Sequence, residues 1–219
     1  MTIVIAIDGP AAAGKGTLAR RLEDHFKLSK LDTGLLYRAT GWKVLDQGGD
    51  PEDAAVAEAA ARALNPAELD NPALRTDEAA QAASKVSAVP GVRAALLDFQ
   101  RDFAKKPPHL GDGSPAKGAI LDGRDIGTTV CPDADVKLFV TASAETRAKR
   151  RFLELQERGL EAIYARVLED MKERDERDQS RSASPLAAAD DALLLDTSDM
   201  DADQAFAAAL DFINAKNLF

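Results

Sequence analysis

The sequence predicts an α/β fold built on one parallel sheet, and three observations carry the prediction. Five short apolar runs, at residues 3–7, 28–31, 119–122, 136–141 and 193–195, are separated by stretches with helical periodicity. Strands that alternate with helices pair in parallel, because each helix carries the chain back to the starting edge. The first run, Ile3-Val4-Ile5-Ala6-Ile7, is unbroken and rich in β-branched residues, the composition of a strand buried on both faces. A turn of small residues follows it, Gly9-Pro10-Ala11-Ala12-Ala13-Gly14-Lys15-Gly16-Thr17, and a helix starts near Lys15.

That turn is the chemical centre of the chain. Leu18, Leu22 and Phe26 recur at four-residue spacing and line one helix face. Strand, small-residue loop, lysine, hydroxyl and helix together make a phosphate cradle. Small residues let backbone N–H groups curl around a polyphosphate, and the helix N-terminus adds partial positive charge. Gly9, Gly14 and Lys15 fit the G-x-x-x-x-G-K pattern of a P-loop. Lys15 then reaches the β- and γ-phosphates of ATP, and Thr17 places a hydroxyl on Mg²⁺. Gly16 stands where the common motif has Ser or Thr, and the hydroxyl comes one residue later. The alternative is a glycine-rich turn that binds nothing; the strand before it and the helix after it favour the cradle.

Composition narrows the partners. Over 219 residues, 28 Lys and Arg face 37 Asp and Glu, a formal net charge of −9. The pI near 4.8 argues against a nucleic-acid-binding surface. An acidic protein with anionic substrates must gather its positive charge locally, so arginine clusters matter. One cysteine, Cys131, precludes an internal disulfide and reads as a small core residue. His25 and His109 have no partner at metal-ligand spacing. No apolar run approaches a membrane span, and the N-terminus lacks a basic leader, so a soluble cytoplasmic protein is expected. No long apolar stripe is left over for an interface, and a monomer is expected.

The remaining elements follow in order. A weak strand at 28–31 runs into Asp32-Thr33-Gly34, and residues 35–45 turn helical with Tyr37 and Arg38 near the start. Residues 51–64 are alanine-rich and acidic and read as a solvated helix; 65–71 read as a loop. Residues 77–89 are helical and contain Ser84. Pro90-Gly91 interrupts, and 92–105 resumes with Val92, Leu96, Phe99 and Phe103 in register and Arg93 at its start. A Pro/Gly-rich stretch at 106–118 reads as a mobile loop. The strand at 119–122 ends in Asp122-Gly123-Arg124-Asp125, and ligand-facing residues collect at the carboxyl ends of parallel strands. Asp122 is there a candidate neighbour of Mg²⁺. A charged helix at 144–158 carries Arg147, Lys149, Arg150 and Arg151. In the next helix an apolar stripe of Ile163, Val167 and Met171 continues in helical steps to Arg174, Asp178 and Arg181. An inward face that turns ionic must meet counter-charges or an anionic ligand in a cleft. A strand at 193–195, ended by Asp196-Thr197-Ser198, and a helix with Phe206, Leu210 and Ile213 close the chain.

Together the segments GPAAAGKGT, LDTGLLYR, AASKVSAVPGVR, LDGRDIGT and RDERDQSR, in that order, resemble the bacterial cytidylate kinases of the P-loop nucleoside monophosphate (NMP) kinase superfamily. The G-K-G-T form of the loop belongs to that superfamily; the other segments are specific to the family. The resemblance covers nearly the whole chain. It implies a single P-loop NTPase domain, three-layered α/β/α on a five-stranded parallel sheet, with a helical NMP-binding insert at about 36–95 and a short lid at about 147–160. It also implies transfer of the γ-phosphoryl group of ATP to CMP or dCMP, with Mg²⁺. By motif, Thr33 and Arg38 are expected to hold the acceptor phosphate, and Ser84, Arg93 and Asp125 to read the cytosine edge. Arg174 and Asp178 are expected at the ribose, Arg124 and Arg181 at phosphates, and Arg147, Arg150 and Arg151 in the lid. Thr197-Ser198 lies where the family passes the adenine. Two departures are visible: 64–75 is shorter than the strand-bearing insert of many members, and 106–118 is longer.

The acceptor in such a reaction is an anionic phosphate oxygen and needs no general base. Catalysis then reduces to positioning and charge stabilisation by Lys15, Arg124, Arg181 and the lid arginines, under a lid that keeps water out. Three other readings stay open on the sequence: a kinase for UMP or AMP on the same scaffold, a regulatory ATP-binding protein, and a nucleic-acid-binding P-loop ATPase. The last fits poorly with the acidic pI.

Overall fold

In the computed structural model, which describes residues 2–219, five strands form one sheet in the order β2-β3-β1-β4-β5. They are β1 (Ile3–Asp8), β2 (Ser29–Asp32), β3 (Gly118–Asp122), β4 (Val136–Thr141) and β5 (Leu193–Asp196). Every pairing is parallel. The most apolar run is the central strand, because only a central strand between two helical layers is shielded on both faces. Ile5 and Ile7 face one layer, packing with Leu18, Leu22, Phe26, Ala209 and Ile213. Ala6 faces the other, with Leu121, Ala104 and Ile126. Alternate residues of one strand thus serve two cores.

The described residues also form eight α-helices. They are α1 (Lys15–Phe26), α2 (Thr33–Asp46), α3 (Ala54–Arg62), α4 (Asp77–Val86), α5 (Pro90–Lys105), α6 (Ala144–Glu157), α7 (Tyr164–Ser180) and α8 (Ala202–Asn214). Of these, α1, α5 and α8 pack on the sheet. The predicted face of α1 is correct, since Leu18, Leu22 and Phe26 are all buried. Burying each such side chain contributes roughly 1.5–3 kcal/mol. Helices α2 to α5 lie between β2 and β3 in sequence and carry their own core of Leu36, Tyr37, Ala57, Ala61, Ala83, Val86, Val92 and Leu96. Helices α2 and α4 approach so closely that a Cβ on Gly41 would sit 2.8 Å from Ala82.

Several local expectations are corrected. Helix α3 is not solvated all round: Ala57, Ala60 and Ala61 are buried, because small side chains let the helix lie flat on α5. Residues 65–71 are not a plain loop. Two short 3₁₀ turns, Pro66–Asp70 and Pro72–Arg75, each start with an asparagine cap and a proline. Pro90 does not interrupt a helix but begins α5, where its missing N–H would have no partner anyway. The buried line of α5 is Val92, Leu96, Gln100 and Ala104, while Phe99 is 36% exposed. Gln100, only 2% exposed, satisfies itself by donating Nε2 to Leu96 O at 3.0 Å. Ile163 precedes α7 as its cap residue and is 58% exposed, so the inward stripe starts at Val167. A π-helical turn, Ile126–Val130, was not anticipated. Residues 106–117 form neither helix nor strand. Among the described residues, no helix is long and apolar enough to cross a membrane.

Candidate active site

Four of the five strands end in aspartate: Asp8, Asp32, Asp122 and Asp196. In-register pairing sets Asp32 beside Asp122 and Asp122 beside Ile7. The carboxyl edge of the sheet is therefore acidic, and the chain brings its cations to it.

The loop after β1 has the backbone of a cradle. Gly9 has φ 142°, and a Cβ there would lie 1.9 Å from Val140 O; only glycine fits. Ala12 is left-handed at φ 58°, and Gly14, at φ 99°, leads into α1. Lys15 is buried at the base and donates Nζ to Pro10 O at 2.7 Å. Burial, reinforced by the Arg124 guanidinium, pushes its pKa down to about 7. Burial pushes Asp122 up to about 6, with Lys15 opposing the shift and Asp32 adding to it. Asp32 also caps α2 by accepting from Gly34 N.

Three adjoining cavities open around this edge. The largest, about 520 Å³, has Ala11, Ala12, Lys15 and Gly16 on one wall and Arg38, Arg151 and Arg174 on another, with Asp32 and Asp122 beneath. A smaller one of about 50 Å³ shares Arg124 and Arg174 with it. Every residue expected at the acceptor lines this small cavity except Arg38: Thr33, Ser84, Arg93, Arg124, Asp125, Arg174, Asp178 and Arg181. Arg38 stands in the large cavity and donates to Leu74 O at 2.8 Å. The third cavity, about 240 Å³, lies beside Ala13, Gly14 and Thr17 and is bordered by Arg150 and Thr197.

The small cavity is only partly self-satisfied. Arg93 pairs with Asp125 and lies over the Tyr37 ring at 5.5 Å. Arg124 Nε donates to Asp178 Oδ2 at 3.0 Å. Burial would lower the pKa of Arg93, but Tyr37 and Asp125 raise it on balance; Asp178 and Asp122 do the same for Arg124. Asp178 is held below the usual carboxylate range: burial opposes this, but Arg124, Arg174 and Arg181 outweigh it. Two cations are left over. Burial and then Arg124 push Arg174 down to about 10. Burial and Arg93 lower Arg181, whose Nη2 is 3.9 Å from Asp125 Oδ1, too far for a hydrogen bond. Among the described residues, the buried side-chain atoms without a hydrogen-bond partner are Ser84 Oγ, Arg174 Nε and Arg181 Nη2, and all three residues line this cavity. Orphaned buried donors are rare, and three converging on one space fit an anionic, hydrogen-bonding ligand. The Thr33 hydroxyl is already in use, donating to Asp122 O at 2.8 Å.

The three arginines expected in a lid divide. Arg151 lines the large cavity and pairs with Asp77 and with Glu154 at 2.8 Å. Arg150 donates to Thr197 O at 2.7 Å and Thr197 Oγ1 at 3.0 Å. Arg147, expected in the lid, is tied down instead. It is 4% exposed and donates to Ala142 O, Ala11 O and both carboxylate oxygens of Asp175, the closer at 2.5 Å. It ties α6 to α7 and to the cradle. The sequence reading gave no role to Asp175, Tyr37 or Asp8. Asp8 could have been noticed from its place immediately before Gly9.

The cytidylate kinase family profile matches residues 5–215 of this chain. A cytidylate kinase of Paramagnetospirillum magneticum is 65% identical over 216 residues, covering 99% of this chain and 100% of that protein. One from Rhodospirillum rubrum is 58% identical over 215 residues, covering 98% and 99%. A solved structure of an uncharacterized protein from Eubacterium ventriosum superposes with TM-score 0.55 at 16% identity, covering 98% of this chain and 99% of that one, which supports the fold alone. The cradle at the central strand, the ionic face of α7 and similarity over nearly the full length agree: the chain belongs to the cytidylate kinase family.

Proposed function

We propose that this protein transfers the γ-phosphoryl group of ATP to CMP or dCMP, giving ADP and CDP or dCDP. The observation that carries the proposal is the group of orphaned donors, Ser84 Oγ, Arg174 Nε and Arg181 Nη2, in a cavity that shares Arg124 and Arg174 with the large cavity beside the cradle. The cradle takes the ATP phosphates, and the cavity beside Thr197 takes the adenine end. In the small cavity Ser84, Arg93 and Asp125 read the cytosine edge, and Arg174 and Asp178 meet the ribose. Arg38 and Arg124 hold the acceptor phosphate, joined by Thr33 once its hydroxyl turns from Asp122 O; Arg181, expected at a phosphate, stands beside Asp125 instead. On this reading α2 to α5, at about 36–95, form the acceptor-binding insert, and about 147–160 form the lid.

The acceptor oxygen is anionic, so the protein's task is to align it and to stabilise charge on the transferring group. Lys15 and Arg124 sit where that charge develops, and bidentate guanidinium geometry suits phosphate oxygens. Of the two donors expected for Mg²⁺, Asp122 borders the large cavity with Lys15 and its hard carboxylate oxygens fit the ion, while Thr17 borders the third cavity instead. Among the described residues no group of three His, Cys, Asp or Glu side chains could hold a metal alone. Such a sparse donor set suits an ion carried largely by substrate phosphates. Bound there, Mg²⁺ supplies charge neutralisation of the phosphate oxygens. One chain provides every group named, which goes with a monomer working on cytoplasmic nucleotide pools. Nothing in this scheme calls on a nucleic acid or a membrane.

The test is ADP release from Mg-ATP with CMP, dCMP, UMP, AMP and GMP offered singly, against a no-acceptor control. Turnover confined to CMP and dCMP is expected. Stronger turnover with a purine monophosphate would overturn the base-reading assignments, and none above the control would overturn the activity.

A further inference from the structure

We propose that Asp8, at the end of β1, is a positioning residue for the acceptor base. It caps the π-helical turn Ile126–Val130 from another strand and so leaves Asp125 free to face the acceptor cavity. The inference rests on the base-reading role proposed for Asp125.

Asp125 stands at the cap position of this turn, with φ −146° and ψ 26°, and makes no side-chain cap. An aspartate there ordinarily turns its carboxylate back onto the first amides of its own turn. Here that carboxylate is turned to Arg93 and Arg181 instead. The amides it leaves open would be buried donors without partners. Asp8 takes both: Ile126 N donates to Asp8 Oδ1 at 2.8 Å, and Gly127 N to Asp8 Oδ2 at 2.7 Å. At the far end Arg101 donates Nε to Val130 O at 3.1 Å and Nη2 to Thr129 O at 3.2 Å. The turn is held by an anion at its start and a cation at its end, the sense that its backbone dipole favours.

Asp8 has little else to do. It is 5% exposed, and among the described residues no side-chain cation forms an ion pair with it. Burial pushes its pKa up to about 6 against the pull of the two amides; Asp125 adds to the rise and Lys15 opposes it. Holding a carboxylate in such a place is unfavourable unless the two amides need it. Asp8 is also the residue before Gly9, so one side chain joins the strand that carries the ATP cradle to the turn that carries the acceptor-facing carboxylate.

Asp8→Asn tests this, because the carboxamide keeps the shape but can accept from only one of the two amides. KM for CMP should rise about tenfold and the preference for CMP over UMP should fall in parallel, while KM for ATP stays within about twofold. The double variant Asp8→Asn/Asp125→Asn should lose no more than Asp125→Asn alone, since Asp8 acts through Asp125. Multiplying losses in the double variant, or an equal loss of ATP and CMP use in Asp8→Asn, overturns the inference and leaves the proposed function standing. An Asp125→Asn without an acceptor-selective loss overturns both. If Asp8→Asn does not fold, Arg101→Met loosens the same turn from its other end and should raise KM for CMP and not for ATP; an unchanged KM for CMP overturns the proposal.

Discussion

Arg124 and Asp178 meet across 54 positions of sequence, Nε to Oδ2 at 3.0 Å. The first follows the end of β3 and the second lies on α7, so this pair fastens a helix of the cleft's outer wall to the sheet edge. It also sets a charge pattern. With Asp178 pairing Arg124 and Asp125 pairing Arg93, Arg174 and Arg181 remain as the cations with free donors.

Asp178→Ala should therefore do two things. It leaves Arg124 without its partner, and breaking a buried ion pair from one side costs about 3–5 kcal/mol. Chemical denaturation should show a loss of about 3 kcal/mol, and KM for CMP should rise. An unchanged denaturation midpoint would show that the pair does not hold α7 to the sheet.

Ser84→Ala should separate stability from function. Ser84 Oγ is buried without a partner in the free protein, so removing it takes away an unpaired polar group and should leave Tm the same or slightly higher. The lost contact to ligand should raise KM for CMP by roughly three- to tenfold. A clear fall in Tm, or an unaltered KM, would be the contrary result.

Lys15 should make ATP binding proton-linked. Its pKa in the free protein is lowered to about 7 by burial and by Arg124, so at pH 8 most of it is neutral. Bound phosphates favour the charged form and raise that pKa. Binding Mg-ATP at pH 8 should thus take up close to one proton, about 0.5 or more by titration calorimetry in buffers of different ionisation enthalpy. The uptake should shrink as pH falls below 7, where Lys15 is already protonated. It should vanish in Lys15→Met, which should also lose at least about a hundredfold in kcat. Proton release at pH 8 would contradict this account.

The arginines of α6 should behave unlike one another. Arg147→Ala breaks a buried bidentate pair with Asp175 and should lower stability by about 3 kcal/mol, or Tm by roughly 6–12 °C for a chain of this size. Arg151, whose partners Asp77 and Glu154 are solvent-exposed, should matter little to stability, under about 1 kcal/mol. Its loss should instead slow phosphoryl transfer, since it stands in the large cavity with Lys15. Equal Tm losses in the two variants would refute the division.

Much of this protein was legible in the chain because the signals are local. The β-branched run of β1, the small-residue loop and the α1 face of Leu18, Leu22 and Phe26 each follow from neighbours within a few positions. The inward turn of α7 toward Arg174 and Asp178 was legible too, because helical steps carry a stripe forward whatever its chemistry. Where the reading went astray, a helix face was decided by its neighbour. Gln100 lies inside and Phe99 outside because α5 presents a strict four-residue line to the sheet and to α3. Pro90 could equally end one helix or start the next until the fold set it in the first turn of α5, where no backbone N–H is needed.

The sequence by itself determined the parallel α/β architecture and the glycine-rich loop around Lys15, since each is written in a contiguous motif, and it named Ser84, Arg93, Asp125, Arg174, Asp178 and Arg181, which the fold gathers around one cavity. Only the tertiary structure decided how the charges are shared. Arg93 with Asp125, Arg124 with Asp178, Arg147 with Asp175 and Asp8 with the Ile126 and Gly127 amides are all contacts between distant segments. A linear motif states that a charge is present. Whether that charge is paired, capped or left open to a ligand depends on which strand ends and helix faces the fold brings within about 3 Å of it.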